Sequence, residues 1–202
     1  LGYLSREPLK TPNIDLLAER GVSFTQTWTP SPLCAPARGC IATQSIYDRS
    51  PVQSNSDNIN PGRPTIYKLI KDSGCNVASV GKLDLLKDAM DWGLDGLHFV
   101  NNSSRFNEIG FTRGFDSAGK HDGIRGYENA FPEPYLEFLK LNGLDKIHAE
   151  DYLEREPANY RISPYEALEK KFKPAPGYAN LKVSPLPDFA YCDNWVGKTA
   201  IS

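Results

Sequence analysis

Twice in its first third the chain runs from a helix signal through a glycine to a strand signal, and this order constrains the fold most tightly. Over 11–21, Thr11 is placed as an N-cap, Pro12 at the first helical position and Gly21 at the stop. Ile14, Leu17 and Ala18 then share one helical face. Residues 22–28 alternate apolar and polar side chains, which predicts a strand. The second unit begins after a polar stretch, 50–63, that reads as loop. It has a Pro-started, Gly-ended helix over 64–74 and a compact strand over 76–81 that enters a loop at Lys82. Units of this kind build α/β sheets, whose sites lie at the C-terminal ends of the strands.

Beyond residue 84 the signals thin. Gly, Asn, Asp and Pro recur, and the region to 187 reads as a loop-rich insertion with one clear helix over 134–143. Residues 188–202 read as the start of a further helix that the chain end cuts off, so the chain is expected to be a fragment. With 202 residues, 40% hydrophobic and 24% charged, the composition is that of a globular protein rather than a disordered one. A net charge of −2 gives no field that would recruit nucleic acid. No apolar run is long enough to span a bilayer. Four cysteines, at 34, 40, 75 and 192, form no Cys-x-x-Cys pair, which argues against a zinc ribbon or a thioredoxin-like redox motif. Cys75 and Cys192 are expected to be small buried hydrophobes.

The segment Pro32-Leu33-Cys34-Ala35-Pro36-Ala37-Arg38 carries the chemistry. A cysteine that opens a helix meets unpaired N–H groups and the positive end of the dipole, which favours an anion there. Arg38, four residues on, would share its face and offer a fork of donors to an oxyanion. The segment could thus hold a nucleophile beside a tetrahedral anion. A buried cysteine followed by a surface arginine fits the same spacing.

The surrounding residues resemble the sulfatase family. Thr11-Pro12-Asn13-Ile14-Asp15-Leu16-Leu17-Ala18, continuing through Gly21-Val22-Ser23-Phe24-Thr25, is similar to the family's T-P-N-x-D-x-L-A-x-x-G-V-x-F-T block. Cys34-Ala35-Pro36-Ala37-Arg38 follows it as the family's C-x-P-[SA]-R motif does, and Gly81-Lys82 resembles its later active-site lysine. The stretches 91–96 and 190–197 are similar to a bacterial subgroup. The resemblance implies an alkaline-phosphatase-like, mixed but mostly parallel sheet flanked by helices and incomplete at both ends. On that division, 1–83 is the core carrying the nucleophile, 84–187 the insertion and 188–202 the start of the next core helix.

The resemblance also implies a mechanism. Cys34 would be oxidised to formylglycine by a formylglycine-generating enzyme, and the hydrated aldehyde would attack the sulfur of a sulfate ester. Expulsion of the alcohol would leave sulfate on the diol, and collapse of the second hydroxyl would release it. Arg38 would hold the formylglycine, Lys82 would donate to the sulfate oxygens, and a calcium ion would act as Lewis acid. Cys34, as formylglycine, would be one calcium ligand. The others, an Asp-Asp pair and a later Asp-His or Asp-Asn pair, are expected to lie outside the chain, leaving the fragment inactive and poorly stable. Implied substrates are sulfated small molecules or carbohydrates, and secreted, periplasmic or lysosomal locations are usual for the family.

Two positions depart from the pattern. Gln44 stands where the family has Gly, and Lys82 is followed by Leu83-Asp84 where the family commonly has a histidine. Of the three histidines, His98, His121 and His148, His121 is the candidate for substrate binding, in a Gly-rich loop beside Asp122. Asp84, Asp91 and Asp95 lack the spacing of a calcium loop and read as solvated carboxylates. Trp92, Tyr127, Phe131 and Tyr135 could stack on a sugar or aryl ring, or pack in a core. The competing functions are a phosphonate or phosphodiester hydrolase of the same superfamily and a non-catalytic remnant or binding protein.

Overall fold

A computed structural model describes residues 2–4, 9–86, 104–117, 127, 133–155 and 183–202. The chain divides into two units, Leu1–Pro30 and Ser31–Ser202. The first holds a 3-10 turn, Gly2–Leu4, and helix α1, Pro12–Arg20. Thr11 does not cap α1 with its side chain. Its hydroxyl instead accepts from Gly2 N at 2.7 Å and donates to Asp15 Oδ1 at 2.8 Å, and the same Asp15 oxygen accepts from Tyr3 N. Those bonds staple the turn to the helix. Gly21 is extended rather than left-handed.

The strand expected over 22–28 is absent, and Val22, Phe24 and Trp28 are exposed. Alternation marks a face, but a strand exists only where its backbone finds a partner.

The second unit opens with α2, Cys34–Thr43. Gly39 lets it pack closely, since a Cβ there would stand 2.7 Å from that of Val52. At its C-terminus Gln44 takes φ +53, and its N–H returns to the helix carbonyls. This is the left-handed cap that glycine adopts without steric cost. Position 44 therefore keeps the backbone of the expected glycine with a side chain that strains it.

A 3-10 turn, Tyr47–Arg49, and an irregular stretch lead to α3, Ile66–Asp72. The helix starts two residues after the Pro64 expected to open it, and its cap is Thr65. Its hydroxyl accepts from Lys68 N at 3.0 Å and donates to the Ile109 carbonyl. Gly74 N and Cys75 N close the helix on Lys71 O and Ile70 O, the paired bonds of a Schellman end. Cys75 is exposed, contrary to expectation, because that turn carries it away from the core.

Strand β1, Ala78–Ser79, pairs in parallel with β2, Arg113–Gly114. The bonding continues past both: Thr112 N reaches Val77 O, Phe115 N reaches Ser79 O and Ser117 N reaches Gly81 O, at 2.8–2.9 Å. Helix α4, Ser104–Ile109, leads into β2. Helices α5, Pro134–Leu141, and α6, Asp145–Arg155, follow. The loop-rich region thus adds α4 and α6 to the one helix expected there. A 3-10 turn, Asp188–Ala190, precedes α7, Cys192–Ile201.

Two apolar clusters flank the parallel pair. Val77 packs against one built on Val52, Ile59, Leu85, Phe106 and Ile109. Val80 packs against the other, built on Phe115, Tyr135, Leu139 and Trp195, with Cys192 at its edge. Tyr135 is thus a core residue, with the His148 ring edge-on at 5.5 Å, and Tyr127 is partly buried beside the same cluster. Trp92, Asp91, Asp95, His98, His121 and Phe131 lie outside the described residues.

At Gly114, φ is +112 and a Cβ would fall 1.8 Å from the Ser79 carbonyl oxygen. Gly114→Ala is therefore expected to destabilise the full chain by at least about 2 kcal/mol. Gln44→Gly, by relieving the left-handed cap, is expected to stabilise it by up to about 1 kcal/mol. Urea-unfolding midpoints of both variants, moving in opposite directions, check the pair.

Candidate functional site

Cys34 is the first residue of α2, and the residue before it, Leu33, has no side chain able to cap. The cap comes from elsewhere. Asn55 Oδ1 accepts from Ala35 N at 3.2 Å and from the Cys34 thiol at 3.3 Å. One amide oxygen so satisfies a first-turn N–H and orients the sulfur.

The loop carrying Asn55 is held by Asp57. Its Oδ2 accepts from Gln53 N at 2.9 Å and Ser54 N at 2.8 Å, bonds that pull its carboxyl below the usual carboxylate range.

Lys82 arrives from the end of β1. Its Nζ lies 3.9 Å from Cys34 Sγ and 3.5 Å from Asp84 Oδ2. Backbone contacts fix the loop from both sides: Ser117 N to Gly81 O at 2.9 Å, and Ile59 N to Leu85 O at 2.8 Å. Between them Asp116 Oδ1 accepts from Leu83 N at 2.7 Å. Asp84 takes φ +62, a left-handed turn that brings its carboxylate back to Lys82. It is 6% exposed, so the expectation of a solvated carboxylate is corrected: the turn folds it inward.

Asp116 is 3% exposed, and burial pushes its carboxyl up to about 7. The N–H of Leu83 works against that shift, the Asp84 charge reinforces it, and the backbone of Asp84 and the charge of Arg38 oppose it. Arg38 is half-buried one helical turn beyond Cys34. Its charge also bears on Tyr67, whose hydroxyl burial pushes up.

The structure therefore brings Cys34 and Lys82 together across 48 residues, with Arg38 on the same helix. His121 lies outside the described residues. Three contributors escaped the sequence reading. Asn55 sits in a polar loop with no local signal. Asp84 stands two residues from the lysine, and Asp116 lies two residues past the end of β2, where strand C-termini gather functional groups.

The described residues do not make a calcium site by themselves. Among them no three His, Cys, Asp or Glu side chains converge as metal ligands, whereas calcium takes six to eight oxygens. Asn55 puts an amide oxygen beside Cys34, but the Lys82 ammonium occupies the same neighbourhood. Among the described residues no helix is long and apolar enough to cross a membrane.

Comparison with known proteins bears on this site. The family model described as Sulfatase matches residues 1–155. An uncharacterized sulfatase of Escherichia coli, YidJ, is 36% identical over 98 residues, covering 48% of this chain and 18% of that protein. N-acetylglucosamine-6-O-sulfatase of Bacteroides thetaiotaomicron is 24% identical over 150 residues, 74% of this chain and 26% of the relative. Human steryl-sulfatase is 35% identical over 95 residues, 42% of this chain and 16% of the relative. The chain thus spans between 16% and 26% of the length of these curated relatives. No solved structure matches it significantly.

Because the folded state raises the Asp116 pKa, it binds a proton that the unfolded chain has released between about pH 4 and 7. Stability is therefore expected to fall as pH rises through that window, by up to about 1.4 kcal/mol per unit, and to level off above it. Asp116→Asn keeps an acceptor for Leu83 N and removes the titration. Thermal midpoints from pH 4 to 8 should slope less in the variant than in the parent.

Proposed function

The chain belongs to the sulfatase family, and on that footing we propose that it belongs to a sulfuric ester hydrolase whose nucleophile is made from Cys34. The observation that supports this best is the meeting of Cys34, Asn55 and Lys82 at the start of α2, from positions 21 and 48 residues apart in sequence. A structural thiol has no need of a lysine and a remote amide at its sulfur.

Oxidised to formylglycine by a maturation enzyme and hydrated, residue 34 supplies two geminal hydroxyls, one to attack sulfur and one to release the sulfate. The chain's other residues bind and orient. Asn55 accepts a hydrogen bond from the group at position 34, as it accepts from the thiol, and so fixes which lone pair faces the ester. Lys82 donates to the non-bridging oxygens as charge builds on them, and Arg38 adds a second cation from the next turn of α2. Substrates on this reading are sulfated small molecules or carbohydrates. Calcium enters the proposal only with carboxylates from outside the described residues, and no step is assigned to it.

The parallel pair β1–β2 fits an alkaline-phosphatase-like sheet, of which 1–83 forms the nucleophile-bearing part, 84–187 an insertion and 188–202 the opening of the next core helix. A phosphonate or phosphodiester hydrolase uses the same nucleophile. The carboxylate of Asp84 beside Lys82 disfavours a doubly charged phosphate monoester; phosphodiesters and phosphonate monoesters carry one charge, as a sulfate ester does, and comparison of turnover separates them from sulfate. The third reading, a non-catalytic remnant, draws on Gln44 and on the absence of a histidine after Lys82.

Mass spectrometry of the tryptic peptide containing residue 34, from the full chain made in a host with a maturation enzyme, is expected to show the thiol replaced by an aldehyde. A longer protein that adds the metal carboxylates expected outside this chain should hydrolyse an aryl sulfate; in it Cys34→Ala should abolish turnover, and Lys82→Ala should slow it by about 10²–10⁴-fold. An intact thiol together with no turnover would leave the remnant in place of the enzyme.

A further inference from the structure

We propose that Asp84 sets the charge selectivity of this site, favouring singly charged esters over doubly charged ones. The inference rests on the assignment of Cys34 and Lys82 to the anion site. Asp84 is buried, and its Oδ2 lies 3.5 Å from Lys82 Nζ, while the same ammonium reaches to 3.9 Å from Cys34 Sγ. One cation thus serves both the nucleophile position and a fixed negative charge.

The backbone is committed to this arrangement. Asp84 holds φ +62, a conformation costly for a residue with a side chain, and strain of that kind persists only where the surroundings impose it. Here they do. Asp116 grips Leu83 N from one side and Ile59 N holds Leu85 O from the other, so the turn between them cannot relax outward.

Among the described residues, the charged groups that act on one another here are Arg38 and Lys82, positive, against Asp84 and, above its raised pKa, Asp116. A group that brings one negative charge meets a lysine already half-committed, which is enough. A second negative charge on the same group meets repulsion from a buried carboxylate that solvent screens poorly. A unit charge opposed across the width of one side chain shifts a binding constant on the order of tenfold. If Asp84 merely held Lys82 in place, its loss would weaken both classes of anion alike and leave their ratio unmoved.

The test uses the full chain carrying Cys34→Ala, so that neither ester turns over. Phenyl sulfate and phenyl phosphate are titrated calorimetrically at pH 8, where the phosphate is doubly charged. The parent should bind the sulfate more tightly, and tighter binding of the phosphate overturns the proposal whatever the variants do. Asp84→Asn should move the ratio of dissociation constants toward phosphate by about tenfold, and Asp84→Glu should keep the parent preference. A ratio unchanged by Asp84→Asn, with both esters still bound, overturns the selectivity and leaves the anion site standing. Failure of a cooperatively melting parent to bind either ester overturns both.

Discussion

Everything at the site depends on the parallel run of backbone bonds between 77–81 and 112–117. It is short, two residues by strand pairing and a few more by continued bonding, yet it is wedged between the two apolar clusters. Val77 and Val80 point into different clusters, so a slip in register would strip one of them of its neighbours. The Lys82 loop leaves this ladder at a fixed place because Ser117 N holds Gly81 O, and Asp116 then catches Leu83. The close approach at Gly114 belongs to the same constraint, since no other residue lets the two backbones come so near.

Against that rigid edge stands the start of α2. Its first turn exposes N–H groups that a leucine at the cap position cannot satisfy, and Asn55 meets that need from a loop pinned by Asp57. Capping and orientation of the sulfur are therefore one interaction. The helix cannot be properly ended without placing an amide oxygen on Cys34, nor can the ladder form without bringing Lys82 toward it. The electrostatics follow from the same geometry. Among the described residues, two cations and two carboxylates gather where the ladder meets the helix, and burial raises Asp116 there while Lys82 keeps part of its side chain in solvent.

Much of this was legible in the sequence, and the parts that were not share a physical cause. The bounds of α1, α3 and α5 were readable from local signals, although Thr11 makes no side-chain cap on α1 and α3 starts after Thr65 rather than at Pro64, because a buried hydroxyl can serve two partners. Cys34 at the head of a helix and Lys82 at the end of a strand were readable from spacing. Asn55, Asp84 and Asp116 were not, because each acts on a residue that only the folded chain puts beside it, or, for Asp84, through a turn that no propensity announces. The alternation over 22–28 promised a strand, and pairing, a non-local property, did not follow. Gln44 shows the reverse: the sequence departed from the family's glycine, and the backbone kept its left-handed turn.

Catalysis as proposed requires that the ladder edge and the head of α2 form one anion-binding site. A crystal structure of the full chain with inorganic sulfate tests this most directly. A sulfate is expected beside residue 34, with oxygens in hydrogen-bond reach of Lys82 Nζ and the Arg38 guanidinium. Sulfate bound elsewhere, with Lys82 turned away from residue 34, would contradict it.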